Sequence, residues 1–244
     1  MYGDNPIRKA DLDNPNSLRV QEIFSTIQGE GPLAGVPAIF IRLAGCNLAC
    51  HFCDTEFESG IDNVMSVAQI VDQIHELTAN SKCRLVVLTG GEPMRQNLSS
   101  LIESLLRLSD ILQVQIETAG TIWQEDLRSF VERDQLHFVC SPKTPKIQPE
   151  VAAICQHFKY IIRASEICPD DGLPIMSTQV LGQKAKLYRP SWLNSSNEEN
   201  TIWVQPCDET DIEKTKMNEQ AAVKSAFTYG YRLSYQIHKA LNLP

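Results

Sequence analysis

The chain has 244 residues, of which 43% are hydrophobic, and a net charge of −8. That is enough for one α/β domain with a large buried core. The acidic balance excludes a generic nucleic-acid surface, which needs a basic stripe to displace counterions, and no apolar run approaches the length of about 18 residues that a membrane helix needs.

The N-terminal stretch, residues 1–18, is polar and rich in Asp, Asn and Pro. It lacks the apolar stretch of a secretory signal and is expected to be a poorly ordered extension, with residues 19–244 forming a single domain. Beyond it, strand-like and helix-like segments alternate. Residues 20–26 and 38–43 are rich in β-branched and aromatic side chains and read as strands. In residues 66–79, Val67, Ile70, Val71, Ile74 and Leu77 recur on one helical face, with Ser66 placed to cap it. The run Leu85–Leu88 has the continuous apolar character of a strand in a parallel sheet. A second amphipathic helix carries Leu98, Leu101, Ile102, Leu105 and Leu108. Strands are then expected at 114–118, 137–141, 158–162 and 202–204, helices at 123–132 and within 211–228, and a last strand within 232–237. Residues 164–200, with Pro169, Pro174, Pro190 and the polar run 194–200, break this rhythm and read as an irregular excursion. Alternating β and α units argue for a parallel sheet with helices outside. They are too few for a closed eightfold barrel, so the expected fold is α/β, an open, partial TIM-like barrel.

Eight cysteines without a signal segment fit a reducing, cytoplasmic setting. Cys83, Cys140, Cys155, Cys168 and Cys207 are scattered, and small buried residues are the plain reading for them. Cys46, Cys50 and Cys53 are different, standing in a C-x3-C-x2-C run. Three cysteines this close cannot pair among themselves without a leftover. Structural zinc wants four closed ligands, usually from two separated pairs, and His51 has no second pair to join. Iron–sulfur clusters are normally held by four thiolates, so a set of three implies an iron left open to a small chelating ligand.

In parallel α/β folds the active site lies at the C-terminal ends of the strands, and polar, turn-prone clusters fall there. The first strand runs into Ile27, Gln28, Gly29 and Glu30. The second carries Arg42 into the cysteine loop. The next end at Thr89-Gly-Gly91-Glu-Pro, Glu117-Thr-Ala-Gly, Ser141-Pro142-Lys143 and Gln205-Pro206-Cys207-Asp208, and the last at Gln236, His238 and Lys239. Each glycine alone reads as a turn residue, and each carboxylate alone as a solvated group. Their coincidence with the cysteine loop is what points to a site.

The cysteine run resembles the cluster loop of the radical S-adenosylmethionine (SAM) superfamily, and Thr89–Pro93 resembles that superfamily's SAM-binding motif. Phe24–Gly31, Cys53–Thr55, Ile116–Gly120, Ser141–Lys143 and Tyr235–Lys239 are similar to one family within it, the 7-carboxy-7-deazaguanine synthases, and the likeness spans about residues 20–244. The resemblance implies a [4Fe–4S] cluster on Cys46, Cys50 and Cys53. It implies reductive cleavage of SAM to a 5′-deoxyadenosyl radical, then hydrogen abstraction from 6-carboxy-5,6,7,8-tetrahydropterin and ring contraction with loss of ammonia. It further implies that Gly91, Glu117, Ser141, Pro142, Lys143, Gln205, Pro206, Cys207 and Asp208 line the SAM site. Ile27, Gln28, Gly29, Arg42, Thr89, His238 and the carboxylate of Pro244 would hold the pterin, with Arg42 offering a planar fork to its carboxylate. Thr55 matches the family's Mg²⁺ ligand, and a lone hydroxyl suits an ion that borrows waters and substrate oxygens. A flavodoxin- or ferredoxin-type reductant, a cytoplasmic homodimer, and no nucleic-acid or membrane partner complete the expectation. Two other readings stay open on residues alone: a radical SAM activase acting on a partner protein, and a binding module with a structural metal. Cys207 is either an oxidation-sensitive thiol or an inert one.

Overall fold

The computed structural model describes residues 5–193 and 201–244. The elements run in the order β1 (Ser17–Ile27), β2 (Pro37–Leu43), β3 (Val64–Ser66), α1 (Val67–Ala79), β4 (Leu85–Gly90), α2 (Ser99–Arg107), β5 (Gln113–Thr118) and β6 (Leu136–Cys140). They continue with α3 (Pro149–Ile154), β7 (His157–Ile162), β8 (Thr201–Pro206), α4 (Ile212–Tyr229), β9 (Arg232–Leu233) and α5 (Ile237–Ala240). One nine-stranded sheet results, in the order β3-β1-β2-β4-β5-β6-β7-β8-β9. It is parallel from β2 to β9 and open between β3 and β9, a partial barrel.

The alternation of side chains along each strand divides the molecule. Ile39, Ile41 and Leu43 of β2, Val86 and Leu88 of β4, Val114 and Ile116 of β5 and Phe158, Tyr160 and Ile162 of β7 join the main core. Ile70 and Ile74 of α1 and Leu101, Ile102 and Leu105 of α2 are buried in that same core. The opposite set on β2 and β4, namely Ala38, Phe40, Leu85 and Val87, forms a separate small cluster with Leu33 and Val36. Those two residues belong to the connection between β1 and β2. Helix α1 is fixed by a full capping box between Ser66 and Gln69, a feature worth about 1 kcal/mol. Helix α4 starts on Asp211, whose carboxylate accepts from the amides of Glu213 and Lys214, and ends on Gly230 at φ 74°.

Four expectations change. The sheet is not parallel throughout: β1 runs antiparallel to β2, with Ile27 opposite Pro37 and Val20 opposite Leu43. Its end therefore lies at the foot of the parallel strands, not at the rim that carries the cysteine loop. Residues 123–132 form only a 3-10 segment over Glu125–Phe130, with Leu127 alone buried in it. Without an apolar stripe to pack, so short a helix has nothing to repay its nucleation. The last expected strand is two residues long and passes into α5. The stretch expected to be poorly ordered lies, from Asn5 on, against the cysteine loop. There Arg8 donates its amide to Cys46, and Asp11 donates its amide to Arg95.

The irregular excursion is borne by turns and two isolated bridges as far as residue 193; the polar run 194–200 lies outside the described residues. Helix α3, which was not anticipated, has Pro149 in its first turn, where the missing N–H costs nothing.

Candidate active site

A cavity of about 430 Å³ opens at the mouth of the partial barrel. Its wall follows from the same alternation that builds the core. Arg42 continues the inward row of β2, Thr89 that of β4, Gln115 and Glu117 that of β5, and Lys159 and Ile161 that of β7. On β2 and β4 these rows are apolar towards the foot, at Ala38, Phe40, Leu85 and Val87, and turn polar towards the mouth, at Arg42 and Thr89.

Glu117 organises one side. It accepts hydrogen bonds from Gln28 Nε2 at 3.0 Å, Gln115 Nε2 at 3.1 Å and Thr89 Oγ1 at 3.0 Å. Gln28 comes from the connection after β1, which crosses beneath the cavity as a floor. Its neighbour Glu30 meets Lys159 in a short ion pair and accepts from Gln205 Nε2 at 3.1 Å and Gln236 Nε2 at 2.7 Å. Burial works to raise the Glu30 carboxyl, but the Lys159 ammonium and the Gln236 donor outweigh it and hold it below the ordinary range. Lys159 is raised in turn, because Glu30 and Glu117 outweigh its own desolvation. The floor is thus a chain of amides and one compensated ion pair that joins β1, β5, β7 and β8.

The other wall is the cysteine loop. Cys46, Cys50 and Cys53 all line the cavity and are half-buried. Burial pushes the Cys46 thiol up to about 12 and moves Cys53 the same way, so iron must displace protons to bind there. Among the described residues no three His, Cys, Asp or Glu side chains gather closely enough to hold one metal ion. A cubane asks for something else, since each thiolate ligates a separate iron of the cluster. Three thiols on one loop, open to a shared cavity, fit that demand.

Gly91 owes its lack of a side chain to this loop: a Cβ there would overlap the Gly45 carbonyl and stand 2.8 Å from Cys46 Cβ. Glu92 is buried and clips the β4 and β5 ends together, accepting from Thr118 Oγ1 at 2.7 Å and the Ala119 amide at 2.8 Å. Burial raises its carboxyl.

All the residues expected at the site line the cavity except Ile27, Gly29 and Pro142. Gly29 lies behind His238, and a Cβ on it would fall inside the imidazole; burial lowers the pKa of that ring. Arg42 uses Nε on Glu22 at 2.7 Å and lies over the Phe24 ring. Thr55 donates to Asp54 at 3.1 Å. Lys143 donates to the Ser141 carbonyl at 3.1 Å and is lowered by burial. Gln205, Pro206, Cys207 and Asp208 close the far side. Burial pushes the Cys207 thiol up to about 12, the direction that leaves little thiolate for oxidation. Pro244 is at the edge, its carbonyl oxygen taken by Thr26 Oγ1 at 2.9 Å.

Lys159 and Asp54 were not singled out in advance; Glu30, Gln236 and Lys239 were placed in the strand-end clusters but given no ligand. Lys239 bridges Asp54 and Asp208 at 2.9 Å to each, and carries Asp54 down to about 2 against the opposing effect of partial burial. The signal for Lys159 was present: a lysine inside the apolar run Phe158–Ile162, in step with Ile161, belongs on an inward face.

Residues 40–184 match the model of the radical SAM superfamily. The chain is 40% identical over 252 residues to the 7-carboxy-7-deazaguanine synthase of Rhodospirillum rubrum, with all of both chains covered. It is 37% identical over 256 residues to that of Rickettsia prowazekii, covering all of this chain and 96% of the relative. Among solved structures, QueE from Escherichia coli superposes with a TM-score of 0.62 at 22% identity, covering 90% of this chain and 94% of that one, which shows a shared fold. The chain belongs to the 7-carboxy-7-deazaguanine synthase family of the radical SAM superfamily.

Proposed function

We infer that the chain is a radical SAM lyase that converts 6-carboxy-5,6,7,8-tetrahydropterin to 7-carboxy-7-deazaguanine with loss of ammonia. The observation that carries this is the union of the three-cysteine loop and the amide floor in one cavity. The names borne by full-length relatives support it over a protein-activating enzyme or a structural metal module.

Cys46, Cys50 and Cys53 would hold the [4Fe–4S] cluster, which supplies one electron for SAM cleavage when bound. The chain's own residues do the rest. Gly91, Glu117, Ser141 and Lys143 take the SAM side, with Pro142 buried between the last two, and the run from Gln205 to Asp208 lies opposite. The half-buried Lys143 and the Ser141 hydroxyl offer donor groups there.

On the pterin side Gln28 and Thr89 present polar atoms held in place by Glu117, so the ring meets fixed partners and pays little reorganisation. Arg42 turns its guanidinium to the substrate carboxylate, and His238, backed by Gly29, closes over the ring with Ile27 and Pro244 at the margin. We assign Thr55 to Mg²⁺ shared with substrate oxygens, supported by its place on the wall beside Asp54. A flavodoxin- or ferredoxin-type reductant, a homodimer and a cytoplasmic setting extend the family likeness. Eight free thiols support a reducing compartment, and among the described residues no helix is long and apolar enough to cross a membrane.

The test is anaerobic incubation of the reconstituted chain with the carboxytetrahydropterin, SAM, Mg²⁺ and dithionite. The deazapurine product with SAM recovered is expected. SAM cleavage with no deazapurine from this substrate would overturn the assignment.

A further inference from the structure

The excursion after β7 contains a small hairpin that the reaction, as described, leaves unused. Met176 bridges Lys184, the Ser177 amide donates to the Gln183 carbonyl at 2.7 Å, and the Ala185 amide donates to Ile175 at 2.8 Å. Its near strand is bonded to the cysteine loop, with the His51 amide donating to the Thr178 carbonyl at 2.9 Å. Ser177 and Thr178 are buried beneath it.

The side chain of Gln179 enters the cysteine loop from this hairpin. Its Oε1 accepts the Ala49 amide at 2.8 Å, and that bond fixes which end of the amide points where. The NH2 end is left facing Cys50 Sγ at 3.2 Å and Thr178 Oγ1 at 2.6 Å. Thr178 also approaches Cys50 at 3.6 Å, but its hydroxyl proton goes to the Lys143 carbonyl at 2.7 Å. Its oxygen can therefore only accept. Gln179 is thus the side-chain donor at the Cys50 sulfur, with both of its hydrogens and its oxygen committed. Cys53 has a longer counterpart in Asn5 Nδ2 at 3.7 Å.

We propose that Gln179 is a positioning residue that sets the reduction potential of the cluster through its N–H bond to Cys50. This rests on the reading that the three cysteines hold the cluster. Reduction adds negative charge that is shared with the ligating sulfurs. A donor at a sulfur stabilises the reduced form more than the oxidised one, and hydrogen bonds to sulfur are among the determinants of cluster potential. Partners behind the ligands orient them as well. The carbonyl end on Ala49 holds the amide in register with the loop, so the bond stays in place as the charge changes.

The experiment is a mediated redox titration, followed by electron paramagnetic resonance, of the anaerobically reconstituted full chain and its Gln179→Leu and Gln179→Glu variants, without pterin. Iron and sulfide are assayed in parallel. Gln179→Leu should retain the cluster and shift its reduction equilibrium about tenfold toward the oxidised form, ~59 mV for one electron. Gln179→Glu, which keeps the acceptor for Ala49 and sets a negative group against the sulfur, should shift it further the same way. Equilibria within about twofold of the parent in both variants would overturn the proposal. So would loss of the cluster from both, which would place Gln179 in assembly instead. A parent chain that binds no cluster would refute the cluster reading itself, before any variant is compared.

Discussion

Replacing Lys159 with methionine keeps an unbranched apolar stem and removes only the ammonium opposite Glu30. The Lys159 and Glu30 side chains are 8% and 14% exposed, so solvent does little to screen what is left behind. Removing one partner of a buried pair costs about 3–5 kcal/mol, because the other charge stays uncompensated. Gln205 and Gln236 still donate to Glu30 and favour the lower end, about 3 kcal/mol at pH 7. In a chain of this size about 1 kcal/mol moves Tm by roughly 2–4 °C, so a fall of roughly 6–12 °C is expected.

The pH dependence carries the sharper test. In the parent, Glu30 is held below its ordinary range. It therefore contributes stability above its unfolded pKa of about 4.3, and that stability is lost as pH falls through the folded value. In the variant burial outweighs the remaining amide donors and lifts Glu30 above its unfolded value. Stability is then full at acid pH and declines as pH rises through the raised pKa. The gap between the two proteins should be widest at neutral pH and narrow towards about pH 5. Thermal unfolding followed by circular dichroism from pH 5 to 8 reads this directly. The double variant Glu30→Gln/Lys159→Met should recover most of the loss. A deficit under about 1 kcal/mol, or one that does not change with pH, would refute a charged Glu30 held by Lys159.

Arg42→Ala should raise the KM for the pterin roughly ten- to a hundredfold, as expected for a lost charge-assisted bond, and leave that for SAM nearly unchanged; equal loss of both would remove Arg42 from the substrate carboxylate. Gly29→Ala displaces His238 and should cost about 1–3 kcal/mol by overpacking, with a raised KM for the pterin in steady-state assays. Gly91→Ala presses on Gly45 and Cys46, so reconstitution should yield less iron and sulfide per chain while the far-ultraviolet spectrum stays the same. Ser66→Ala breaks the α1 capping box; about 1 kcal/mol of stability should go, with neither KM affected.

The helices that pack on the sheet were legible because their apolar spacing is also their burial. Ile70, Ile74, Leu101, Ile102 and Leu105 stand where periodicity puts them. The cysteine loop was legible because its spacing is a chemical demand that tolerates little variation. What escaped was set by partners distant in the chain. Nothing local says that β1 runs antiparallel to β2, and the strand-end rule then assigns Gln28 and Glu30 to the wrong end of the barrel. The side chains reach the expected cavity by another route, through its floor. Lys159 was hidden by the apolar residues around it. Its inward direction follows from alternation along β7, in step with Ile161, and it pairs with Trp203 of β8. The short segment after Trp123 was misread because Gln124 leaves the local helix to clamp the Met94 and Gln96 carbonyls, a tertiary contact that propensity cannot see.

That antiparallel first strand has a chemical consequence. A fully parallel barrel would end below in a plug of apolar side chains. Here the connection after β1 brings Leu33 and Val36 to fill the foot and sets Gln28 and Glu30 directly above them. In the floor Lys159 answers Glu30, and on the more exposed wall Lys239 is shared by Asp54 and Asp208. What remains facing a ligand is amides and hydroxyls gathered around Glu117, with two cations: Lys143, bonded to Ser141, and Arg42, whose bond to Glu22 engages only its Nε. Under the proposed function, a surface of that kind would select a flat heterocycle by its pattern of donors and acceptors. An analogue of the same bulk that lacks one ring N–H or carbonyl leaves a buried amide without a partner, which costs more than a missing methylene would. Discrimination at this site should therefore fall on the ring's hydrogen-bonding edges, ahead of its size.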